Sequence, residues 1–458
     1  MTLDILPPVH EVLGLPEVAR QMAGIAPLYR TRLVRGVLGE FRKTLRARPG
    51  SYPDREAARG AIGVRIAERV RELEDPFPRR VVNGTGILIH TNLGRAPLGD
   101  ILGRIGPASL AGYSNLEWDA GTGKRGSRGA PVAGLLELLT GAEAALVVNN
   151  CASALLLALG VLAREKDVIV SRSELVEIGG GFRVPEIIES SGCRLVEVGT
   201  TNKTRLADYR KKARSGKCVL LKVHQSNFVQ RGFVESVPLA DLAGLSRELR
   251  TPLVYDNGSG LLTPSGLPFL ESEPSLEQGL RAGAGVVVAS GDKLLGSVQA
   301  GLVAGKASFV GAMQRSPLYR ALRLDKIRLA LLHRTLGLYL AGRQQEIPLW
   351  RMSSPGPEEL ESGKTRLQLP GTGSRWKKAA WVRLAASMGG GTNPETSFPS
   401  LGLELSHKDH SGEGVRARFA SREVPVVGYI QRGVFLLDIR AFLDDDFAEV
   451  QRALDELS

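Results

Sequence analysis

From Arg80 to about Ala304 the chain alternates short runs of β-branched and aliphatic residues with stretches of helical period. The runs are Ala145–Val148, Val168–Val170, Leu195–Val198, Val219–Val223, Leu253–Tyr255 and Val286–Ala289. They are mostly continuous rather than every second residue apolar, which is the pattern of strands covered on both faces. Buried parallel strands between helices are the economical reading, so an α/β fold with a mostly parallel sheet is expected. Upstream, Leu33, Val34, Val37, Leu38 and Phe41 recur at helical spacing and predict an amphipathic helical unit over Arg20–Arg48. Beyond Arg323 a long helical segment, Ile327 to Leu340, leads into a Gly/Pro/Ser-rich region. There Ser387-Met-Gly-Gly-Gly-Thr-Asn-Pro394 reads as a loop, and the stretches Val426–Tyr429 and Val434–Asp438 complete a small α+β domain.

Asp75-Pro76-Phe77-Pro78 is a strong breaker between the helical start and this alternating middle. The division expected is a helical N-terminal domain over 1–72, a large domain over 73–325, and a linking helix with the small C-terminal domain over 326–458. No internal repeat and no long low-complexity tract interrupts it.

Charge changes the picture at one end of the chain. The 458 residues carry 60 Lys plus Arg against 48 Asp plus Glu, a formal +12. Arg20, Arg30, Arg32, Arg35, Arg42, Lys43, Arg46 and Arg48 crowd the N-terminal helical unit, where Glu40 stands alone against them. A solvated helical face would look the same, but a surface that docks a phosphate backbone is the functional alternative. The unit lacks interleaved aromatics, so contact with nucleic acid would be to shape and phosphate rather than to bases.

Hydrophobic residues make up 43% of the chain and charged residues 24%, ordinary for a folded protein with a sizeable core. No window approaches the ~18 consecutive apolar residues of a membrane span. Met1-Thr-Leu-Asp4 lacks the basic-then-apolar layout of a signal peptide, so a cytoplasmic location is expected. Cys151, Cys193 and Cys218 have no paired metal-ligand spacing and read as small core residues in a reducing compartment. His407 and His410 stand i, i+3 with no Cys or His cluster nearby, and no metal is expected.

Three short motifs carry candidate chemistry. Ser290-Gly-Asp-Lys293 follows the run Val286–Ala289, and a lysine at the carboxyl end of a buried strand, with a serine three residues earlier, suits a Schiff base to pyridoxal phosphate. Asp256 closes the run Leu253–Tyr255, where a carboxylate can pair with a pyridinium nitrogen and keep the ring an acceptor of electrons. Asn149-Asn150-Cys151-Ala152-Ser153 carries a strand straight into the helical stretch Ala154–Leu162, a natural seat for a phosphate on free N–H groups. Singly these also read as a surface turn lysine, an acidic turn residue and an N-cap with no ligand. Their order at successive strand ends makes them one signal.

The same residues belong to longer runs. Asn83-Gly84-Thr85-Gly86 and His90-Thr91-Asn92-Leu93-Gly94-Arg95 within Arg80–Leu98, then Tyr113-Ser-Asn-Leu-Glu117, Gly123-Lys-Arg-Gly-Ser-Arg128, Val148-Asn-Asn150, Glu174-Leu-Val-Glu-Ile-Gly-Gly180, Ser290–Gly296 and Arg320-Ala-Leu-Arg-Leu-Asp-Lys326 together resemble the bacterial selenocysteine synthases, the L-seryl-tRNA(Sec) selenium transferases. The likeness runs nearly end to end. It departs at Ser297-Val298, where the family usually has Gly-Pro, and at Gln225, where Thr is common.

The resemblance implies a fold-type-I pyridoxal phosphate enzyme that converts L-seryl-tRNA(Sec) to L-selenocysteyl-tRNA(Sec). β-Elimination would give aminoacrylyl-tRNA, to which selenophosphate adds. It implies Lys293 as the cofactor lysine, Asp292 beside it as a catalytic residue, and Asp256, Ser290, Asn150, Cys151 and Ala152 around the cofactor. Arg95, Arg320 and Arg323 lie at the positions that bind the selenophosphate anion, a task suited to guanidinium forks. Arg320 and Arg323, three apart on a helix, would face one way. The Gly123–Arg128 run would add to that pocket or to a subunit contact, and His224 would lie near the cofactor or in the core. The resemblance also implies a homodecamer built from dimers, docking tRNA through the basic N-terminal domain, with no DNA and no membrane partner. A small-molecule β-eliminating lyase of the same fold, acting on an amino acid or amino sugar, is the alternative. A non-catalytic RNA-binding protein is disfavoured by the intact Asp256 and Lys293.

Overall fold

The computed structural model describes residues 4–106, 110–178, 181–371 and 373–458. The chain divides into two compact units, one up to Arg80 and one from Val81.

The first unit is helical: Val9–Leu13, Pro16–Gln21, Pro27–Ala47 and Arg55–Glu74. The helical unit expected over Arg20–Arg48 is broken, because Pro27, which cannot sit inside a helix, starts a new one at its first turn. Val34, Val37, Leu38 and Phe41 pack against Ile62, Ile66 and Val70 of the last helix, which Asp54 caps by accepting from Ala57 N at 2.8 Å. Glu40 is drawn to Arg65, which also holds Glu68 and Glu72. Arg32, Arg35, Arg42, Lys43 and Arg46 on the long helix are therefore left without an ion pair among the described residues.

The second unit is built on a seven-stranded sheet ordered Ala144–Val148, Gly301–Gly305, Val286–Ser290, Leu253–Asp256, Cys218–Val223, Asp167–Ser171, Arg194–Val198. All neighbours are parallel except Gly301–Gly305, which runs antiparallel to both strands beside it. The six runs predicted from the sequence are thus strands. Gly301–Gly305, glycine-bounded, carried too weak a pattern to be expected. Alternate residues of each strand enter opposite cores: Ala145, Val147, Val287 and Ala289 pack with helices Ala130–Thr140 and Lys326–Leu340, while Leu146, Val148, Val286 and Val288 pack with Cys151–Leu162 and Ala307–Arg315. Both faces of the sheet are covered, as the continuous apolar runs require.

The C-terminal part holds a five-stranded sheet, Tyr429–Gln431, Val434–Asp438, Thr392–His407, Trp376–Gly389 and Ile87–Ile89. Two differences from the sequence pattern stand out here. The segment expected as a loop over 387–394 is mostly strand, since Ser387 pairs with Ser397 and only Gly390 and Gly391 make the turn of a long hairpin. Residues 82–89, grouped by the pattern with the large domain, pair instead with C-terminal strands: Val82 with Val426, and Ile87 with Ser387. Strands of two and three residues are too short to carry a readable period.

Among the described residues no helix is long and apolar enough to cross a membrane. His407 donates through Nε2 to Leu457 O at 2.9 Å and accepts from Asp409 N at Nδ1, so both its ring nitrogens are tied to backbone.

Candidate active site

Strand register assembles the site. Val148 and Ser290 lie on either side of Gly301 in one row, and Asp256 pairs with Val288 on the next strand. The carboxyl ends of 144–148, 253–256 and 286–290 therefore open on the same edge of the sheet, where α/β proteins bind ligands. Gly301 is demanded by this arrangement: a Cβ there would lie 2.1 Å from Asn150 O.

At the first strand end Asn150 caps the helix Cys151–Leu162, its Oδ1 accepting from Ser153 N at 2.8 Å. The capping amide leaves the N–H groups of Cys151 and Ala152 at the start of a twelve-residue helix, aimed as an anion seat requires. Asn149 N donates to Leu322 O at 3.0 Å, which fixes the turn to the segment carrying Arg320 and Arg323.

At the second strand end Asp256 is buried, and burial pushes its carboxyl up to about 6. It accepts from Cys151 Sγ at 3.5 Å, and Lys293 and His224 lie in its field. A buried carboxylate in this state needs a cation to stay ionised, and a pyridinium N–H is one.

At the third, Lys293 is 5% exposed, and its amine has no hydrogen bond or ion pair among the described residues. Burial pulls the amine below the usual lysine range, against the charges of Asp256 and Asp292. A buried amine whose charged form is disfavoured by burial, and which has no hydrogen-bond or ion partner among the described residues, is a better nucleophile toward a carbonyl than an exposed lysine. Ser290 is buried beside it, with no side-chain partner among the described residues. The hairpin turn reaches the same place: at Gly391 (φ +71°) a Cβ would sit 3.8 Å from Lys293 Nζ. The residues present thus fit a pyridoxal phosphate, with a phosphate seat, a ring-nitrogen partner and a free amine.

Ser297 N donates to Gly291 O at 3.0 Å and its hydroxyl pairs with Thr335 at 2.8 Å, so the turn that presents Lys293 is closed from within.

Asp292 meets Arg95, whose Nη1 lies 2.7 Å from Asp292 Oδ2. Arg95 itself is held at φ +63°, a left-handed conformation costly for a side chain of this kind, with its N–H on His90 O. Arg320 and Arg323 line a cleft of about 260 Å³ with Arg125, Arg128 and Glu117. Glu117 pairs with Arg125, Arg128 and Arg323, and these cations hold its carboxyl below the usual range, Arg128 foremost. Arg320 has no ion pair among the described residues. The expected single helix face is corrected: the helix ends at Leu322, and Arg323 follows it in extended backbone.

Sequence reasoning missed a buried polar chain behind Asp256. Glu174 accepts from Lys222 Nζ at 2.5 Å and from Val223 N at 2.9 Å, and His224 Nε2 lies 3.0 Å from buried Glu273 Oε1. His224 N donates to Asp256 O at 2.8 Å, which ties this chain to the site. Glu174 opens the run Glu174–Gly180, whose last two residues, Gly179-Gly180, lie outside the described residues. Nothing in the spacing joined it to Lys222.

A sheet of this order, with lysine, carboxylate and helix start at its strand ends, defines an α/β protein of pyridoxal phosphate fold type I. The D-glucosaminate-6-phosphate ammonia-lyase structure superposes with a TM-score of 0.57 at 17% identity, covering 83% of this chain and 96% of that one. Residues 81–443 match the family model described as SelA: L-seryl-tRNA selenium transferase. The L-seryl-tRNA(Sec) selenium transferase of Geobacter sulfurreducens is 43% identical over 99% of this chain and 98% of its own length. That of Carboxydothermus hydrogenoformans is 42% identical over 99% and 97%. The chain belongs to the L-seryl-tRNA selenium transferase family.

Proposed function

We propose that the protein is a pyridoxal phosphate-dependent L-seryl-tRNA(Sec) selenium transferase, converting L-seryl-tRNA(Sec) to L-selenocysteyl-tRNA(Sec) for selenoprotein synthesis. The observation that carries the reading is the unpartnered, buried Lys293 amine facing Asp256 and the helix start at Cys151, in a chain matched end to end by relatives of that name.

Pyridoxal phosphate, when bound, supplies an electron sink for the carbanion formed at the seryl Cα. Lys293, Asp256, Ser290 and the N–H groups of Cys151 and Ala152 hold it, with Asn150 shaping the turn. The Lys293 amine, whose charged form burial disfavours, takes the Cα proton. Asp292 lies beside it with Arg95 as its cation, placed to help the seryl hydroxyl leave as water. Selenophosphate then supplies selenium to Cβ, and phosphate is the by-product. Arg95, Arg320 and Arg323 are the cations for that anion. A homodecamer is the assembly this reading expects. The helical unit up to Arg80, whose Arg32, Arg35, Arg42, Lys43 and Arg46 have no ion pair among the described residues, docks the tRNA by shape and phosphate. Charged tRNA as substrate puts the work in the cytoplasm.

The test is an absorbance titration of the protein with pyridoxal phosphate, then with seryl-tRNA(Sec) and separately with free serine, in wild type and Lys293→Ala. A cofactor band that needs Lys293 and responds to the charged tRNA alone supports the reading. A band that responds to free serine and not to the tRNA replaces it with a small-molecule lyase.

A further inference from the structure

Cys151 is more than a spacer in the phosphate turn. Its backbone opens the helix Cys151–Leu162, yet its side chain turns across the strand ends, and Sγ reaches Asp256 Oδ1 at 3.5 Å. Burial, and then the charge of Asp256, push the thiol well above its usual range, so the sulfur carries its proton and can only donate to the carboxylate. The two groups come from strands separated in the sheet by Gly301–Gly305 and Val286–Ser290. Asp256 is faced by few further groups: Lys293 from the turn after Ser290, His224 from the end of Cys218–Val223, and the N–H of Gly258 from its own loop. Cys151 is faced in turn by Asp256, Lys293 and Asp292.

We propose that Cys151 is a positioning residue for the cofactor: its S–H anchors Oδ1 of Asp256, which would leave Oδ2 free to accept from the ring nitrogen. Neither of the remaining cysteines can do this. Cys193 donates to backbone carbonyls of Leu159 and Ser191, and Cys218 to that of Arg214. The geometry asks for a small donor at position 151. Alanine would fill the turn and still bind phosphate through its N–H, but would leave Asp256 without this donor.

The proposal rests on pyridoxal phosphate binding at Lys293, and the test separates the two. The holoenzyme is titrated with acid while the cofactor band is followed, in wild type, Cys151→Ala and Cys151→Ser, and cofactor affinity is measured in each. Loss of a donor raises the pH at which Asp256 takes a proton. The acid-side midpoint of Cys151→Ala should therefore move up by about half a unit or more, with cofactor binding about 2–10-fold weaker. Serine, which keeps a donor at the same place, should return both to wild-type values or move the midpoint lower. A packing role alone would weaken both variants and leave the midpoint where it was. An unchanged midpoint in Cys151→Ala, or a shift that serine does not reverse, overturns the role of the thiol while the band shows the cofactor site intact. Absence of any Lys293-dependent band in wild type overturns the underlying reading, and this proposal with it.

Discussion

Arg95 and Asp292, 197 residues apart in the chain, meet at 2.7 Å, and Ala96 N donates to Asp292 O at 3.2 Å beside them. The first segment leads out of a strand of the C-terminal sheet and the second out of the central one, so this pair ties the two sheets at the mouth of the site. Asp292→Asn should keep the Lys293-dependent cofactor band and lose about 100-fold or more in single-turnover formation of selenocysteyl-tRNA. Arg95→Ala should raise the selenophosphate concentration needed for half-maximal rate. Full activity in either variant would remove the pair from the chemistry.

Asp256 gives a pH dependence in the cofactor-free protein. Its folded pKa, about 6, lies above the unfolded value near 3.8, so the fold binds the proton more tightly than the unfolded chain does. Its contribution is fully present below about pH 4 and is lost as pH rises through about 6. Cofactor-free Asp256→Asn should therefore melt above cofactor-free wild type at pH 7.5, with the gap closing toward pH 4. The same variant should bind pyridoxal phosphate more weakly. Thermal melts across that range check the sign.

Glu174 and Lys222 form a buried pair whose carboxylate is almost wholly enclosed. Burial raises the Glu174 carboxyl and Lys222 opposes the rise. Lys222→Met leaves that charge alone and should cost about 3–5 kcal/mol in urea unfolding, whereas Glu174→Gln with Lys222→Met should cost clearly less. Equal losses in the single and double variants would show that the pair does not act as one.

The cations Arg42 and Arg46 stand on one helix, four apart and without ion partners among the described residues. Reversing both to Glu should weaken seryl-tRNA(Sec) binding and flatten its dependence on salt by about one to two in the log–log slope. The cofactor band should not change. Filter binding at several salt concentrations reads both quantities.

Much of the central sheet was legible because it is buried on both faces. Continuous aliphatic runs such as Val286–Ala289 suit a strand covered on both sides and little else, and Lys293, Asp256 and Asn150 fall where those runs stop. What escaped is what local pattern cannot carry. Gly301–Gly305 has too little side chain to announce a strand. The hairpin over 376–407 was hidden by a glycine run that turns within two residues. Glu174 and Lys222 belong to segments whose meeting depends on the sheet order.

Strand Ile87–Ile89 pairs with Trp376–Gly389, nearly three hundred residues downstream. During synthesis at about 5–20 residues per second, Leu88 and Ile89 wait about 15–60 s on the ribosome for that partner. The turn at Gly391, which lies against Lys293, is made later still. A nascent chain can complete its central sheet in that interval, yet the flank of Lys293 beside Gly391 closes only once the hairpin over 376–407 has emerged.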